Sequence, residues 1–315
     1  MKLSLIIPAF NEEACLPQLI ERLDQCLVSS LAGHEVEVIV VDDHSRDATP
    51  ALLADYAATR PWLRYIRLLR NSGSHVAIFA GLSVCRGDAA YIMGADLQDP
   101  PEVIPQFIAE LSRGHKIVLG EREKRDDPWQ KTLPSLAFNY FMSRFVLDNF
   151  PVRGGDVFML DRDIIDAVLQ CNEKNVNIFV LMLSLCSDVG TVSYHRRERV
   201  AGQSKWNLRK LAKLAFDSVI TVGYLPLKAI LYLGLGTFCL SVLILIYLVA
   251  IHLFGFVTVP GWTSVLALIS LFGGLNMVAI AIVGEYLWRN FDQTRQRPIF
   301  IIERQSPDRA TDSKP

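Results

Sequence analysis

Residues 91–102 have the sequence YIMGADLQDPPE, which joins the end of an apolar run to the start of a helical pattern. The run at 89–93 is typical of a buried strand, and Asp96, Gln98 and Asp99 follow it at once. Open α/β sheets bind ligands at the carboxyl ends of their strands, which is where these side chains fall. Asp and Gln supply hard oxygen donors, which suit Mg²⁺ or Mn²⁺ bound beside a phosphate. The segment therefore predicts a metal-assisted site at the end of a strand.

Two roles compete within this segment. Asp99 can be the N-cap of the next helix, with Pro100 as its first residue and Glu102 as the capping-box partner. We assign Asp99 and Glu102 to that structural role because the spacing matches common cap preferences. Asp96 and Gln98 are then left without a structural task. These two residues are the candidate metal ligands.

Short apolar runs elsewhere predict further strands, each followed by polar residues. They lie at Leu3–Ile7, Val36–Val41, Leu63–Leu69 and Ile117–Leu119. Because helical patterns separate most of these runs, we expect an α/β fold whose mostly parallel sheet has helices on both faces. The polar clusters then converge on one edge of the sheet, where a ligand crevice is expected. The first strand–helix turn, PAFNEE, lacks glycine, and the absence of GxGxxG and GxxxxGK disfavours NAD enzymes and P-loop NTPases.

Composition separates the chain into a polar part and an apolar part. The chain has 315 residues, enough for roughly two domains. Its mean hydropathy of +0.27 is high for a soluble protein, and the apolar excess lies after Leu225. A net charge of −1 argues neither for nor against nucleic-acid binding. The six cysteines occur singly, without a CxxC pair or a Cys/His cluster for zinc, so a reducing compartment is expected.

The apolar part predicts membrane attachment. Residues 207–228 have the pattern of an amphipathic juxtamembrane helix on an anionic membrane surface. Residues 229–254 and 262–283 are almost free of charge and each exceeds the roughly 20 residues that span a bilayer, which predicts a two-helix transmembrane hairpin within 229–288. Lys and Arg flank the hairpin and are absent from its loop, which places both termini in the cytoplasm. We therefore expect a multi-pass inner-membrane protein with a cytoplasmic domain at 1–206 and a cytoplasmic tail at 289–315.

A second acidic turn, DDHSRD at residues 42–47, follows the strand predicted at Val36–Val41. Its carboxylates can accept hydrogen bonds from the base or the ribose of a nucleotide, and Asp42 at the strand end is the better candidate for this. Asp47 or Ser45 could instead cap the helix that follows. The turn therefore indicates nucleotide binding, with a capping alternative for two of its residues.

Basic residues concentrate in two segments, 121–131 and 195–205. Clustered Arg and Lys bind phosphates, and Arg does so with bidentate geometry, whereas a solvated basic face is the alternative for any single residue. We disfavour DNA or RNA as the partner because a metal turn and membrane spans have no part in that function. The candidate phosphate ligands are Arg122, Arg125, Lys131, Arg196, Arg197, Arg199 and Lys205.

Several motifs in order resemble one known family. They are PAFNE, VVDDHSRD, LLRNSG, ADLQDPPE, GGDVFMLDR, GQSKW and EYLWR…RP, spread from about Lys2 to Pro298. Together they resemble the family-2, GT-A-fold polyprenyl-phosphate glycosyltransferases. The resemblance implies inverting transfer of a sugar from a UDP- or GDP-sugar to a polyprenyl phosphate at the cytoplasmic membrane face, with Mg²⁺ or Mn²⁺ as cofactor, for modification of envelope glycoconjugates. It also suggests a homo-oligomer.

The same resemblance assigns roles to individual positions. It implies that Asp156 is the catalytic carboxylate and that Asp96 and Gln98 meet the metal. The residues implied for nucleotide-sugar binding are Pro8, Asn11, Glu12, Asp42, Asp43, Asn71, Gly73 and Asp96. Those implied for the diphosphate or the lipid phosphate are Arg122, Arg125, Lys131, Arg196, Arg199, Ser204 and Lys205.

Gly94 departs from the family pattern, which usually has Asp-x-Asp at the metal turn. One carboxylate fewer means a weaker grip on the cation or the ribose. Either Asp96 and Gln98 suffice with the donor phosphates, or a neighbour such as Asp43 compensates. A third alternative is a catalytically impaired homologue that serves as a membrane scaffold, and a transferase using another lipid acceptor is a fourth.

Overall fold

The computed structural model describes residues 1–122, 157–171, 177–195, 261–294 and 298–306, with scattered positions between 230 and 250. The chain divides into two compact units. The first unit comprises Met1–Ser218 together with Pro298–Pro315, and the second comprises Val219–Arg297. Residues on both sides of the second unit therefore belong to the same compact body.

An eight-stranded sheet forms the centre of the first unit. Its strands are β1 (Lys2–Ala9), β2 (Glu35–Asp42), β3 (Leu63–Leu68), β4 (Ala89–Ile92), β5 (Ile117–Arg122), β6 (Phe158–Asp161), β7 (Val189–Tyr194) and β8 (Ile302–Gln305). The spatial order is β7-β5-β6-β4-β1-β2-β3-β8. Strand β1 pairs in parallel with β2 and β4, β2 with β3, and β5 with β7. Strand β6 runs antiparallel between β4 and β5, and β8 runs antiparallel at the edge beside β3.

Helices cover both faces of this sheet. They are α1 (Leu16–Val28), α2 (Thr49–Thr59), α3 (Ser74–Val84), α4 (Ile104–Ser112), α5 (Arg162–Gln170) and α6 (Ile178–Leu185), with a 3₁₀ turn at Pro101–Val103 before α4. Side chains of α1, α2 and α4 share one buried cluster with Leu5 and Ile7 of β1. Those of α3, α5 and α6 share another with Ile6, which points to the opposite face. The predicted α/β architecture, a mostly parallel sheet between two helical layers, is confirmed.

Strand β8 is an element that the sequence patterns did not predict. Its backbone pairs with β3 through Ile66 and Gln305, and the chain just before it is anchored by the buried Ile299. The Phe300 ring packs edge-on against Phe79 of α3, with ring centroids 6.4 Å apart. The segment that follows the second unit is therefore built into the sheet of the first.

In the second unit, α7 (Trp262–Thr294) contains the second of the two predicted spans. Its segment Leu271–Trp288 has a mean hydropathy of 1.5 and is long and apolar enough to cross a membrane, and none of it is buried. The predicted juxtamembrane helix at 207–228 lies outside the described residues. The predicted first span at 229–254 also lies largely outside them. Its described positions are helical, and most of them, such as Tyr232 and Tyr247, are exposed.

Candidate active site

The turns after β1, β2 and β4 lie at one edge of the sheet because these strands are parallel neighbours. Pro8 lies in β1 opposite Val41 of β2, so the chain leaves both strands at the same level. The acidic turn 42–47 and the PAFNEE turn are consequently adjacent. Parallel strand ends with polar turns are the usual place for a ligand in such a sheet.

Hydrogen bonds lock the first of these turns to the second. The Asn11 backbone N–H donates to Ser45 Oγ at 2.9 Å, and Asn11 Oδ1 accepts from the Arg46 backbone N–H at 2.9 Å. The Glu12 backbone N–H donates to Thr49 Oγ1 at 2.9 Å. Asn11 has φ +53°, a left-handed conformation that Asn tolerates better than most residues. Asn11 and Glu12 therefore shape this edge, and with Arg46 they line a cavity of about 400 Å³ beside it.

Asp42 is fully buried at the end of β2. Its Oδ2 accepts from Arg67 Nη1 at 2.7 Å, and its Oδ1 accepts from the Ser45 backbone N–H at 2.9 Å. Each oxygen thus has a donor from within the protein, and because the side chain is fully buried, Asp42 supports the 42–47 turn from inside. Arg67 was not among the predicted site residues. The sequence feature that could have indicated it is its place in β3, LRYIRL, where Arg64 and Arg67 are charged residues between buried ones.

The structure also brings Asp43, Asn71 and Gly73 together, as parts of one corner. Asp43 is 4% exposed, and its two oxygens accept from the backbone N–H groups of Ser72 at 2.7 Å and Gly73 at 2.8 Å. Burial raises the pKa of the Asp43 carboxyl, and these N–H groups oppose the shift. Gly73 has φ +91°, which favours glycine, directly before α3. Asp43 thus holds the 71–73 loop. Because both of its oxygens already accept backbone hydrogen bonds, it is a poor candidate to replace the missing metal ligand.

His75, near the start of α3, gives this corner a pH dependence. Its Nδ1 is enclosed and has no hydrogen-bond partner among the described residues. Burial lowers the pKa of His75 from 6.5 to about 4. The unfolded chain therefore takes up this proton at a higher pH than the folded chain. The stability associated with neutral His75 is complete above about pH 6.5 and is lost as the pH falls toward 4.

Between pH 7 and pH 5 the wild-type protein should lose about 1–2 kcal/mol more unfolding free energy than the His75→Gln protein. Thermal unfolding of the detergent-purified protein at the two pH values measures this difference. His195→Gln, at an exposed histidine, is the matched control and should behave as wild type. Equal pH slopes for wild type and His75→Gln would show that His75 does not titrate in this range.

At the candidate metal turn, the predicted capping box is wrong. The 3₁₀ turn that begins at Pro101 has no side-chain cap. Asp99 is 2% exposed and accepts from the Tyr194 hydroxyl at 2.7 Å, while Glu102 forms an ion pair with Arg22 at 2.7 Å. The reason is tertiary, because β7 brings Tyr194 beside a residue 95 positions earlier in the chain. Asp99 is therefore a buried residue tied to β7, and the 3₁₀ turn before α4 begins without a side-chain cap.

Asp96 and Gln98 lie together in this turn. The Gln98 backbone N–H is 3.3 Å from Asp96 Oδ1, and Leu97 between them has φ +60°. A Cβ atom on Gly94 would lie 3.2 Å from Asp96 Oδ1 and 3.9 Å from Asp99 Oδ2. The carboxylate missing from the family pattern would thus stand beside Asp96.

Asp96 and Gln98 both offer oxygen atoms, which are the donors that a hard cation such as Mg²⁺ prefers. Within the described part of the chain, no group of three or more His, Cys, Asp or Glu side chains could hold a metal ion. Mg²⁺ is commonly bound by one or two carboxylates plus substrate phosphates, so Asp96 and Gln98 fit a cation that shares its shell with a diphosphate. A cation held this way should bind more weakly without the nucleotide than with it.

The remaining predicted site residues are placed less fully. Arg122 ends β5 opposite Tyr194 of β7. Asp156 lies outside the described residues, although its neighbour Val157 is buried directly before β6. Also outside them are Arg125, Lys131, Arg196, Arg197, Arg199, Ser204 and Lys205.

A parallel sheet edge with acidic turns after three neighbouring strands is a common ligand site in α/β proteins, and by itself it does not identify an activity. Comparison with known proteins identifies the class. Residues 4–169 match the family model described as glycosyl transferase family 2, and the chain belongs to that family. The sheet and its two helical layers are GT-A-like.

Within this family, the chain is similar to relatives named for undecaprenyl-phosphate or bactoprenol sugar transfer. The chain is 33% identical over 315 residues to the undecaprenyl-phosphate 4-deoxy-4-formamido-L-arabinose transferase of Enterobacter sp. (strain 638), covering 96% of this chain and 93% of that protein. It is 30% identical over 305 residues to the prophage bactoprenol glucosyl transferase homolog of Escherichia coli (strain K12), covering 96% and 99%. The crystal structure of mannosyl-3-phosphoglycerate synthase from Rubrobacter xylanophilus shares the fold, with a TM-score of 0.51, 20% identity and coverage of 70% and 72%.

Proposed function

We propose that this protein transfers a sugar from a UDP- or GDP-sugar to a polyprenyl phosphate of the undecaprenyl type, with inversion at the anomeric carbon. One observation carries the proposal. The chain aligns over nearly its whole length with relatives named for undecaprenyl-phosphate and bactoprenol sugar transfer, and the acidic turns of its family-2 domain share one sheet edge. The lipid phosphate acceptor is proposed from the names of these relatives, and the nucleotide sugar donor is assigned to the polar sheet edge.

We assign the nucleoside and the diphosphate of the donor to different groups of described residues. The paired turns of Asn11, Glu12 and Asp42 receive the nucleoside, and the cavity beside Asn11 admits it. Asp96 and Gln98 would hold Mg²⁺ or Mn²⁺ beside the diphosphate. Such a cation supplies charge neutralisation for the departing nucleoside diphosphate, the electrostatic contribution that is usually largest in this kind of catalysis.

The acceptor chemistry needs little help from a base. A phosphate oxygen of the lipid attacks C1 of the sugar from the face opposite the nucleotide, the C1–O bond to the diphosphate breaks, and the diphosphate leaves with the electron pair. Because the second pKa of a phosphate monoester is about 6, this nucleophile is already largely ionised at neutral pH. We therefore assign Asp156 to positioning or desolvating the nucleophile, or to binding the metal or the sugar, as much as to removing a proton. Arg122, Arg125, Arg199 and Lys205 are assigned to the phosphates.

Membrane location follows from the same proposal. Leu271, Met277 and Leu287 of α7 are more than half exposed, and exposed apolar side chains in a long helix are stable in lipid rather than in water. We propose a two-span anchor in the inner membrane with the sheet domain on the cytoplasmic side. Charged flanks on both outer ends of the hairpin support this orientation.

A donor screen tests the activity. Full-length protein in detergent with undecaprenyl phosphate is incubated with labelled UDP- and GDP-sugars, with and without Mn²⁺ and a chelator. The expected result is metal-dependent label in the lipid extract, with a product mass equal to the polyprenyl phosphate plus one glycosyl residue. Label in another lipid, such as a diacylglycerol, would change the acceptor. No label from any donor would favour the scaffold alternative that Gly94 raises.

The Asp156→Ala protein should turn over at least about 100-fold more slowly at saturating substrates, because misplacing the nucleophile costs that much. Initial rates at saturating donor and lipid measure kcat. Asp55→Asn, at an exposed carboxylate on α2, is the control and should keep wild-type kcat. Near-normal turnover of Asp156→Ala would remove the residue from the mechanism.

A further inference from the structure

Strand β8 places a carboxylate beside the acidic turn at 42–47. Glu303 Oε2 accepts from Arg67 Nε at 2.9 Å and lies 3.7 Å from His44 Nδ1. The Glu303 side chain is 32% exposed and that of Arg67 is 16% exposed, so the contact is partly screened from water. The residue comes from the segment after the second unit, more than 230 positions later in the sequence than Arg67.

A β-bulge in β8 explains how the Glu303 side chain reaches Arg67. In the pairing of β3 with β8, Arg67 lies opposite Arg304 and Leu68 lies opposite Ile302, so Glu303 is the additional residue of the bulge. Bulges turn a side chain away from the regular alternation of a strand and are common beside functional sites. Here the additional residue is the one whose carboxylate meets the guanidinium of Arg67.

Arg67 connects this contact to the turn. Besides Nε on Glu303, its Nη1 donates to Asp42 Oδ2 at 2.7 Å and its Nη2 donates to the Ser45 backbone oxygen at 3.2 Å. Ser45 in turn accepts from the Asn11 backbone N–H. One guanidinium thus binds three acceptors from two segments, and its planar shape makes their positions interdependent.

We propose that Glu303 is a positioning residue of the donor site: it fixes Arg67, which holds Asp42 and the Ser45 turn in the shape that receives the nucleotide. The inference rests on the proposed function, since it takes this turn to be the nucleoside site. It also means that the donor site is completed by chain that follows the membrane segment. An edge-strand ion pair with a purely structural role would affect unfolding and leave nucleotide affinity unchanged.

Glu303→Gln and Glu303→Ala distinguish these roles in the full-length protein. The Kd values of UDP and GDP are measured by calorimetry without lipid acceptor, the donor KM and kcat by sugar incorporation, and the Tm by thermal unfolding. Losing a charged hydrogen-bond acceptor should raise the nucleotide Kd and donor KM about 5- to 10-fold, more for Ala than for Gln, because Gln still accepts a hydrogen bond. The kcat should stay within about twofold, since the chemistry at C1 is untouched.

Glu35→Gln is the matched control. Glu35, the first residue of β2, forms an ion pair with Lys2, the first residue of β1, at 2.9 Å, and this pair lies at the end of the strands opposite the 42–47 turn. The control variant should leave the nucleotide Kd, the donor KM, the kcat and the Tm unchanged. A lower Tm with unchanged Kd and KM for both Glu303 variants would overturn the proposal. If the wild type bound UDP or GDP without transferring sugar, the function would fail while the Kd values still decided the role of Glu303. If it bound neither nucleotide, both proposals would be overturned.

Discussion

The Asp96→Asn protein should lose about 100- to 1,000-fold of its sugar-transfer kcat, the usual effect of removing one main electrostatic contact to a leaving group. The effect should be this large because Gly94 leaves the turn without the second carboxylate of the family pattern. Asp99 does not replace it, since that side chain is buried against Tyr194. Initial rates at saturating donor, lipid and Mn²⁺ measure kcat, and electron paramagnetic resonance of free Mn²⁺ measures metal affinity independently of turnover.

Gly94→Asp is the complementary variant. Gly94 is not among the positive-φ glycines of the described chain, and the atoms nearest to a Cβ there belong to the side chains of Asp96 and Asp99, at 3.2 Å or more. The added carboxylate should tighten Mn²⁺ binding about tenfold, because ligand charge sets affinity at such sites. Gly94→Asn, of equal size without the charge, should not. If Asp96→Asn kept more than about a tenth of wild-type kcat, the metal would lie elsewhere.

Replacing Arg67 with Met should destabilise the sheet domain by about 3–5 kcal/mol, because the fully buried Asp42 would keep its charge without a cationic partner. Nucleotide binding should weaken as well, since the Ser45 backbone oxygen loses the same guanidinium. Thermal unfolding by tryptophan fluorescence in detergent measures the first effect, expected as a Tm lower by about 10 °C.

The Arg67→Met, Asp42→Asn double variant separates the charge from the packing. Removing both charges eliminates the unpaired buried carboxylate, so the double variant should recover most of the lost stability. Nucleotide affinity should not recover, because the turn at Ser45 stays unsupported. A double variant as unstable as Arg67→Met alone would show that Arg67 acts through packing of its alkyl chain.

Local pattern was sufficient for the α/β class and for the edge that carries the site. Apolar runs such as Val36–Val41 have few alternatives to a buried strand, and polar turns that follow parallel strands must share an edge. For this reason Asn11, Asp42, Asp43 and Asp96 could be assigned to one region before any contact was known.

The tertiary structure decided which of these side chains already form hydrogen bonds or ion pairs within the protein. Sequence spacing favoured Asp99 as a helix cap, but a neighbouring strand brought Tyr194 to it and buried the pair. The short segment IERQ of β8 is too polar to be recognised as a strand, and it becomes one because β3 offers an open edge. The Glu303–Arg67 contact follows from that pairing, whereas the Arg67–Asp42 contact follows from the pairing of β3 with β2. Composition and periodicity determine the layers, whereas partners hundreds of residues apart are set by the packing of the complete sheet.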